Sequence, residues 1–579
     1  MLSVGIFFAM SDFMYQQGFE QAPRYSGFRN SSEIMTAENL GATKAYRLSF
    51  ARSLIRKMTT ENWKINLEEL KVDAGGVGLA LYKINTKNNC LRFLIFSNQV
   101  SEKERTGRLS ESKFDGMAAI LDGVFLEDRV ELEYAEMLKR SEGQTVMDAI
   151  AWTLSTRSSR FFSHTVCALA EGKQPIFLGE DIGAAYLLRN NGCYGNGRHG
   201  TRMWGSLEKD HPLANTYYPE MFALYMWRQF GFDLVEEMAR QINPTASRLR
   251  PEIKRYLGIG NSTGQGMSTF VVKWPRWINA WNLVREKAIV TASEQQTTHE
   301  AKLKAKLLIK KYISNLEAQG RISSPQFLPA HKLALDLKKI DGNLKLDDNN
   351  LGSWVDIICW CRKNTHREAV EQFHSILTEV HGDRIDSLEE LFVTEMEKTG
   401  QSDPQMTIAQ LRELIHTYYS WAFSDKLCGP DMTHYFFYRS EEHGEQRRGQ
   451  RRIDAGSANE TFTGVPTAVR QLDEKLKEQS NSKYIAVFLA EYPEYRFIVE
   501  RIQTFWNEPY AEIRTSVPGY AFHPAHVIRF VLATFGMETV HFSTKKWVQG
   551  TFFQGAPISE QLHSKLDPDW FIPEVPDGR

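Results

Sequence analysis

Cysteine is scarce. Six occur in 579 residues, and only Cys359 and Cys361 stand close together. One residue between them is too few for a Cys-x-x-Cys zinc or redox loop, and a helix would turn them apart. No disulfide framework is implied, and the six read as small buried apolar side chains. Long hydrophobic runs are also missing. No stretch reaches 18 apolar residues, which argues against a membrane-spanning helix. The opening MLSVGIFFAM is apolar but has no basic segment before it, so a secretory signal is not expected. Neither charge is in excess: 70 Lys plus Arg face 71 Asp plus Glu, a net charge of −1. That balance argues against a broadly basic nucleic-acid coat. The expected setting is cytoplasmic, with no membrane and no general nucleic-acid partner.

What is present is core material. Hydrophobic residues make up 42% of the chain, too many for a disordered one. The pattern divides into four stretches. Residues 1–145 read as an α+β region. Within it, Leu79–Ile84 and Leu91–Phe96 form a hairpin (79–96) around the polar turn Asn85–Asn89. Residues 146–325 read as a central helical region interrupted by glycine-rich loops. Residues 326–430 read as helical, and 431–579 as α+β or mixed. Helical periodicity is assigned to Phe114–Leu121, Val146–Leu154, Phe161–Ala170 and Pro219–Ile242. A further helical stretch, Arg276–Ala318, is interrupted near Thr291–His299. The expected fold class is therefore mainly α with a small α+β N-terminal part. It is a multi-helical body with long glycine-rich functional loops.

Two of these loops carry the chemistry. The first spans 189–202 and holds Gly192, Gly195, Gly197 and Gly200 among Arg189, Asn196, Arg198, His199 and Arg202. Glycines let the backbone turn tightly and expose its amides, and arginines beside them suit a carboxylate or phosphate. His199 titrates near neutrality and is the best proton carrier, with Asp181 or Glu220 to assist. Gly195, Gly197 and Gly200 fit Gly-x-Gly-x-x-Gly, but no apolar strand is expected to lead into them. The second loop spans 258–267 and offers Asn261, Ser262, Thr263 and Gln265 between glycines. It also spells Gly-x-Ser-x-Gly at 260–264, without the strand that a nucleophile elbow requires. Both loops also read as plain structural turns.

Other signals are weaker. Arg439, Arg447, Arg448, Arg451 and Arg452 lie among Glu441, Glu442 and Glu445, which neutralise them as readily as an anion would. His523 and His526 have no third ligand at a diagnostic spacing, so no metal is expected. Trp277 and Trp281 share a helix face and read as core or subunit interface.

Taken together, the phrase around 75–84, Tyr-Gly-Asn-Gly-Arg-His-Gly at 194–200 and Gly-Asn-Ser-Thr-Gly-Gln-Gly-Met at 260–267 resemble a large bacterial protein family of unknown activity. The resemblance implies no catalytic role. It implies only that these stretches matter together.

The leading expectation is an enzyme acting on a small anionic metabolite, carboxylated or phosphorylated, by acid–base chemistry. Lyase, isomerase and hydrolase reactions all fit. An organic cofactor is compatible with glycine-rich loops, and its identity is open. A homo-oligomer, a dimer in its simplest form, is compatible with the tryptophan pair. The alternative is a non-catalytic scaffold or regulator. It would bind protein or nucleic acid through the helical middle and the 439–452 loop.

Overall fold

The computed structural model describes residues 27–35, 39, 46–100, 115–123, 149–158, 161–175, 187–191, 207–215, 217–261, 275–319, 330–346, 352–398, 400–424, 436–439, 446–449, 465–512, 525–539, 550–564, 567–573 and 576. The strands in chain order are β1 (Lys64–Val72), β2 (Gly78–Asn85), β3 (Cys90–Ser97), β4 (Gly116–Asp122), β5 (Ala151–Arg157), β6 (Leu187–Asn191), β7 (Gly258–Asn261), β8 (Phe436–Arg439), β9 (Gln446–Gly449), β10 (Glu538–Thr539) and β11 (Gly550–Phe552). The helices that matter below are α1 (Phe50–Thr60), α2 (Phe161–Ala170), α3 (Tyr218–Ile242), α4 (Pro251–Tyr256), α5 (Pro275–Ser293), α6 (His299–Gln319), α7 (Ala330–Asn343), α8 (Trp354–Asn364), α9 (Arg367–Val380), α10 (Glu389–Glu397), α11 (Ile408–Tyr418), α12 (Val465–Lys477), α13 (Ile485–Glu491), α14 (Arg496–Phe505) and α15 (Ala525–Phe535).

The body is mainly helical around one large sheet. Its strand order is β1-β2-β3-β4-β5-β6-β7-β11-β10. The pairs from β1 to β6 are antiparallel, β6–β7 is parallel, and β7–β11–β10 is antiparallel again. The sequence places a small α+β part at the N-terminus, but the sheet is not confined there. It takes strands from the central and C-terminal stretches as well.

Period two explains both faces of the sheet. Ala80, Tyr82, Ile84, Leu91, Phe93, Ile95, Ala118 and Ile120 enter the main core, and α3 lies against them. Leu94, Phe96, Met117, Ala119, Leu121 and Leu154 form a second core on the other face. A strand buried on both sides reads as an unbroken apolar run, which short helices share. That ambiguity explains two corrections. Phe114–Leu121 and Val146–Leu154, expected to be helical, contribute β4 and β5. The unforeseen β1 has another cause: its register shifts between Leu67 and Glu69, which breaks the alternation.

Other expectations hold. The 79–96 hairpin is β2–β3, with Asn85 opposite Cys90. Pro219–Ile242 is α3, with proline in its first turn. The stretch from Arg276 divides into α5 and α6. The cysteines depart from their expected burial: Cys361 is buried, but Cys359, two positions before it on α8, and Cys167 are exposed. Trp277 and Trp281 are 0% and 2% exposed, so both lie in the core of this chain. Trp277 meets Phe530 and Phe535 edge-on, at 5.7 and 5.1 Å. A separate core joins α11, α12, α13 and α14 through residues such as Leu411, Leu472, Phe488 and Ile502. No helix among the described residues is long and apolar enough to cross a membrane.

Candidate functional site

Among the described residues the main sheet has one parallel contact, between the strands that precede the two loops. Leu187 pairs with Gly258 and Asn190 with Gly260. β6 ends at Asn191 and β7 at Asn261, so both chains leave the sheet at the same end and side by side. A strand leads into the first glycine-rich stretch, though not the apolar one that a dinucleotide fold requires. Its sequence, Leu-Leu-Arg-Asn-Asn, has only two apolar residues, too few to register as a strand. A short strand also precedes Ser262, built from Gly258-Ile-Gly-Asn rather than from the charged residues before it. Gly258 and Gly260 are there for close approach. A Cβ on Gly258 would lie 2.1 Å from Thr551 Oγ1, and one on Gly260 would lie 2.0 Å from Asn190 Oδ1.

Beneath this end of the sheet lies a buried polar network. Arg189 is 1% exposed. Its Nη2 donates to Asp115 Oδ1 at 2.6 Å and its Nε to Ser155 Oγ at 3.1 Å. Its guanidinium carbon sits 4.9 Å from the Trp227 ring centre and 5.4 Å from that of Phe230, both on α3. Asp115, fully buried, also accepts from the Arg157 amide at 3.0 Å. Arg157 then reaches the 73–78 turn. It donates to Gly75 O at 2.7 Å and Gly76 O at 2.6 Å. Gly76 has φ +72°, and a Cβ there would lie 2.5 Å from Arg157 Nη2. A shared carboxylate therefore connects the 73–78 turn to β6, and β6 is paired with β7. The 73–78 turn is in this way tied to β6 and β7, the strands that precede 194–200 and 262–267, which lie outside the described residues.

Of the expected site residues, three lie among the described ones. Arg189 is the buried partner of Asp115. Glu220 is buried in the first turn of α3. Asn261 is the last residue of β7. Asp181, Asn196, Arg198, His199, Arg202, Ser262, Thr263 and Gln265 lie outside the described residues, as do Cys193 and His523. Asp115, Arg157, Ser155 and Asn190 were not singled out by sequence reasoning. The available signal was an arginine inside each of two buried strands, since a buried charge requires a partner.

A second polar centre lies in the helical layer. α9 buries Glu371, Gln372, His374, Ser375, Thr378 and Glu379. Glu371 accepts from Arg29 and, at 2.6 Å, from Arg285; Arg29 also binds Glu286 at 2.7 Å. Glu379 accepts from Arg52 and, at 3.0 Å, from Arg47. Burial pushes Glu371 upward, but Arg29 and Arg285 outweigh it and hold the carboxyl at about 2. Burial and the nearby Arg29 push His374 down to about 3, so it is neutral at pH 7. The arginines and glutamates pair with one another across the helix packing, whereas both ring nitrogens of His374 are buried without a hydrogen-bond partner.

The remaining signals have simpler surroundings. β8 and β9 form a separate two-stranded ribbon in which Tyr438 pairs with Arg447 and Phe437 with Arg448. On α6, Leu303 and Leu307 are exposed. No group of three or more His, Cys, Asp or Glu among the described residues has the arrangement of a metal site.

No protein-family model matches the chain, no curated protein is recognisably similar to it, and no solved structure matches it.

Proposed function

We propose that this chain is an enzyme that binds a small carboxylated or phosphorylated metabolite where β6 and β7 end. The observation that carries the reading is the parallel pairing of those strands. It sets Asn191 and Asn261, the residues before the two glycine-rich stretches, on neighbouring strands. Ligands of sheets with parallel strands gather at the carboxyl ends of those strands. In this reading Arg198 and Arg202 clamp the anion, and Arg189 supports them from below through Asp115. Asn196, Asn261, Ser262, Thr263 and Gln265 orient its polar groups. His199 carries the proton, with Asp181 or Glu220 as its partner, in a lyase, isomerase or hydrolase step.

The test is native mass spectrometry of the freshly purified full chain, paired with denaturing mass spectrometry of the same sample. A stoichiometric small anion on the wild type, absent from an Arg198→Ala, Arg202→Ala variant, is the expected result. Retention of the same molecule by that variant would remove the two arginines from the reading. The native mass also counts subunits, which tests the homo-oligomer. The scaffold alternative would use the helical middle and the 439–452 loop; of that middle, α5 is buried along most of its length and α6 exposes Leu303 and Leu307.

A further inference from the structure

We infer that Arg412 and His416 form a binding site for the phosphoryl group of a phosphate monoester, on the surface of the separate core built by α11 to α14. The inference does not rest on the proposed site at β6 and β7. α11 runs over Ile408–Tyr418, so Arg412 and His416 lie one turn apart on one face. Both reach a single carboxylate, Asp473 of α12, whose side chain is 1% exposed. His416 Nε2 lies 3.1 Å from Asp473 Oδ1, and Arg412 Nε lies 3.5 Å from the same oxygen. A carboxylate only accepts, so an imidazole proton sits on Nε2. The ring is also stacked on Phe423, with centroids 5.4 Å apart and planes inclined by 21°. Phe423 belongs to the 420–423 turn, which Arg470 of α12 fastens by donating to Ala422 O at 2.6 Å. The histidine is thus fixed in plane and tautomer, yet its side chain is 51% exposed.

These contacts use only the inner atoms of the pair. His416 Nδ1 and Arg412 Nη1 and Nη2 have no hydrogen-bond partner among the described residues. Lys477 approaches the other carboxylate oxygen, 3.1 Å from Oδ2, and also binds Glu474 at 2.6 Å. Asp473 therefore has three basic neighbours, more than one negative charge neutralises. Lys477 has Glu474 as a second counter-charge, so the surplus lies at Arg412 and His416. A guanidinium fork fits two oxygens of a carboxylate or a phosphate. Nδ1 decides between the two: protonated it donates, and neutral it accepts. A phosphate monoester loses its second proton at about 6, so near neutrality it offers an oxygen to the first state and an O–H to the second. A carboxylate is ionised throughout this range and meets only the protonated ring.

The test is NMR of the full chain with isotope-labelled histidine rings, the His416 signal being the one lost in His416→Gln. Inorganic phosphate at constant pH is expected to shift that signal saturably, and acetate at the same ionic strength is not. Arg412→Gln is expected to weaken the phosphate effect by about tenfold or more, as loss of one charge-assisted hydrogen bond does. Lys477→Gln removes a charge already shared with Glu474 and is expected to weaken it by about twofold or less. Glycerol 3-phosphate and a phosphoserine peptide, titrated in the same way, distinguish a free metabolite from a modified protein as the source of the phosphoryl group. A His416 signal that phosphate moves no more than acetate does would overturn the inference. So would equal losses in Arg412→Gln and Lys477→Gln, which would leave only diffuse charge attraction. The readout is the His416 ring itself, so this inference and the site at β6 and β7 stand or fall separately.

Discussion

The two buried polar centres of this molecule are built on opposite plans. In the helical layer, charges answer charges: Arg29, Arg285, Arg47 and Arg52 meet Glu286, Glu371 and Glu379. In the sheet, Arg189 and Arg157 flank Asp115, at 2.6 and 3.8 Å, and also donate to backbone carbonyls and serine hydroxyls. The first plan closes on itself and fastens helices. The second fastens strand ends and turns, and so fixes where the chain leaves the sheet. A buried charge is therefore a poor guide to function by itself. What its partners hold in place is the better guide.

The comparison is broken most directly at Asp115. Asp115→Asn is expected to destabilise the chain by about 3–5 kcal/mol, since it leaves two buried guanidiniums without their carboxylate. Glu371→Gln is expected to cost less, because Glu286 still faces Arg29. Urea unfolding of both variants checks the order, and an equal or reversed cost would contradict it. Next is Gly260→Ala. A methyl group there collides with Asn190, and overpacking of this kind costs roughly 1–3 kcal/mol. The same denaturation experiment reads it, and a neutral effect would mean that the junction is loose.

Much of the helical part was legible in the sequence. α3 announces itself by length, by Pro219 and by periodicity, and the break between α5 and α6 falls in the polar stretch 294–298. The sheet was half legible. β2 and β3 carry β-branched and aromatic residues around an obvious turn. β4, with Met-Ala-Ala-Ile-Leu, is made of helix formers, and only its place between β3 and β5 makes it a strand. β6 and β7 have five and four residues, so no periodicity can develop. Their pairing spans about seventy residues of chain, and nothing local records it. The candidate loops were legible as glycine-rich chemistry. The pairing of the strands that precede them was not, and neither was Asp115, a lone carboxylate before a strand.

Acid separates the two centres by another route. His374 is pushed down to about 3, so the unfolded chain takes up its proton first. Its contribution is complete above about pH 6.5 and is lost as pH falls toward 3. Glu371, held at about 2, adds a loss between about pH 4.5 and 2. A melting-temperature profile of His374→Gln should therefore be flatter than wild type between pH 6.5 and 3, and an unchanged profile would contradict the burial of a neutral imidazole. The smallest expected effect has the opposite sign. Asp233, below the Tyr82 hydroxyl at 2.6 Å, is pushed up by burial to about 6. Its folded form holds the proton longer, so stability declines as pH rises from about 4 to 6. Asp233→Asn should remove that decline, and its persistence in the variant would assign it elsewhere.

The central claim is that the paired ends of β6 and β7 form the binding site. Hydrogen–deuterium exchange of the full chain, with and without a metabolite extract freed of protein, tests it most directly. The expected result is slowed exchange in the peptides covering 187–202 and 258–267 and little change in α9 or in 436–452. Protection confined to 436–452 or to α6, with none at the two strand ends, would contradict it.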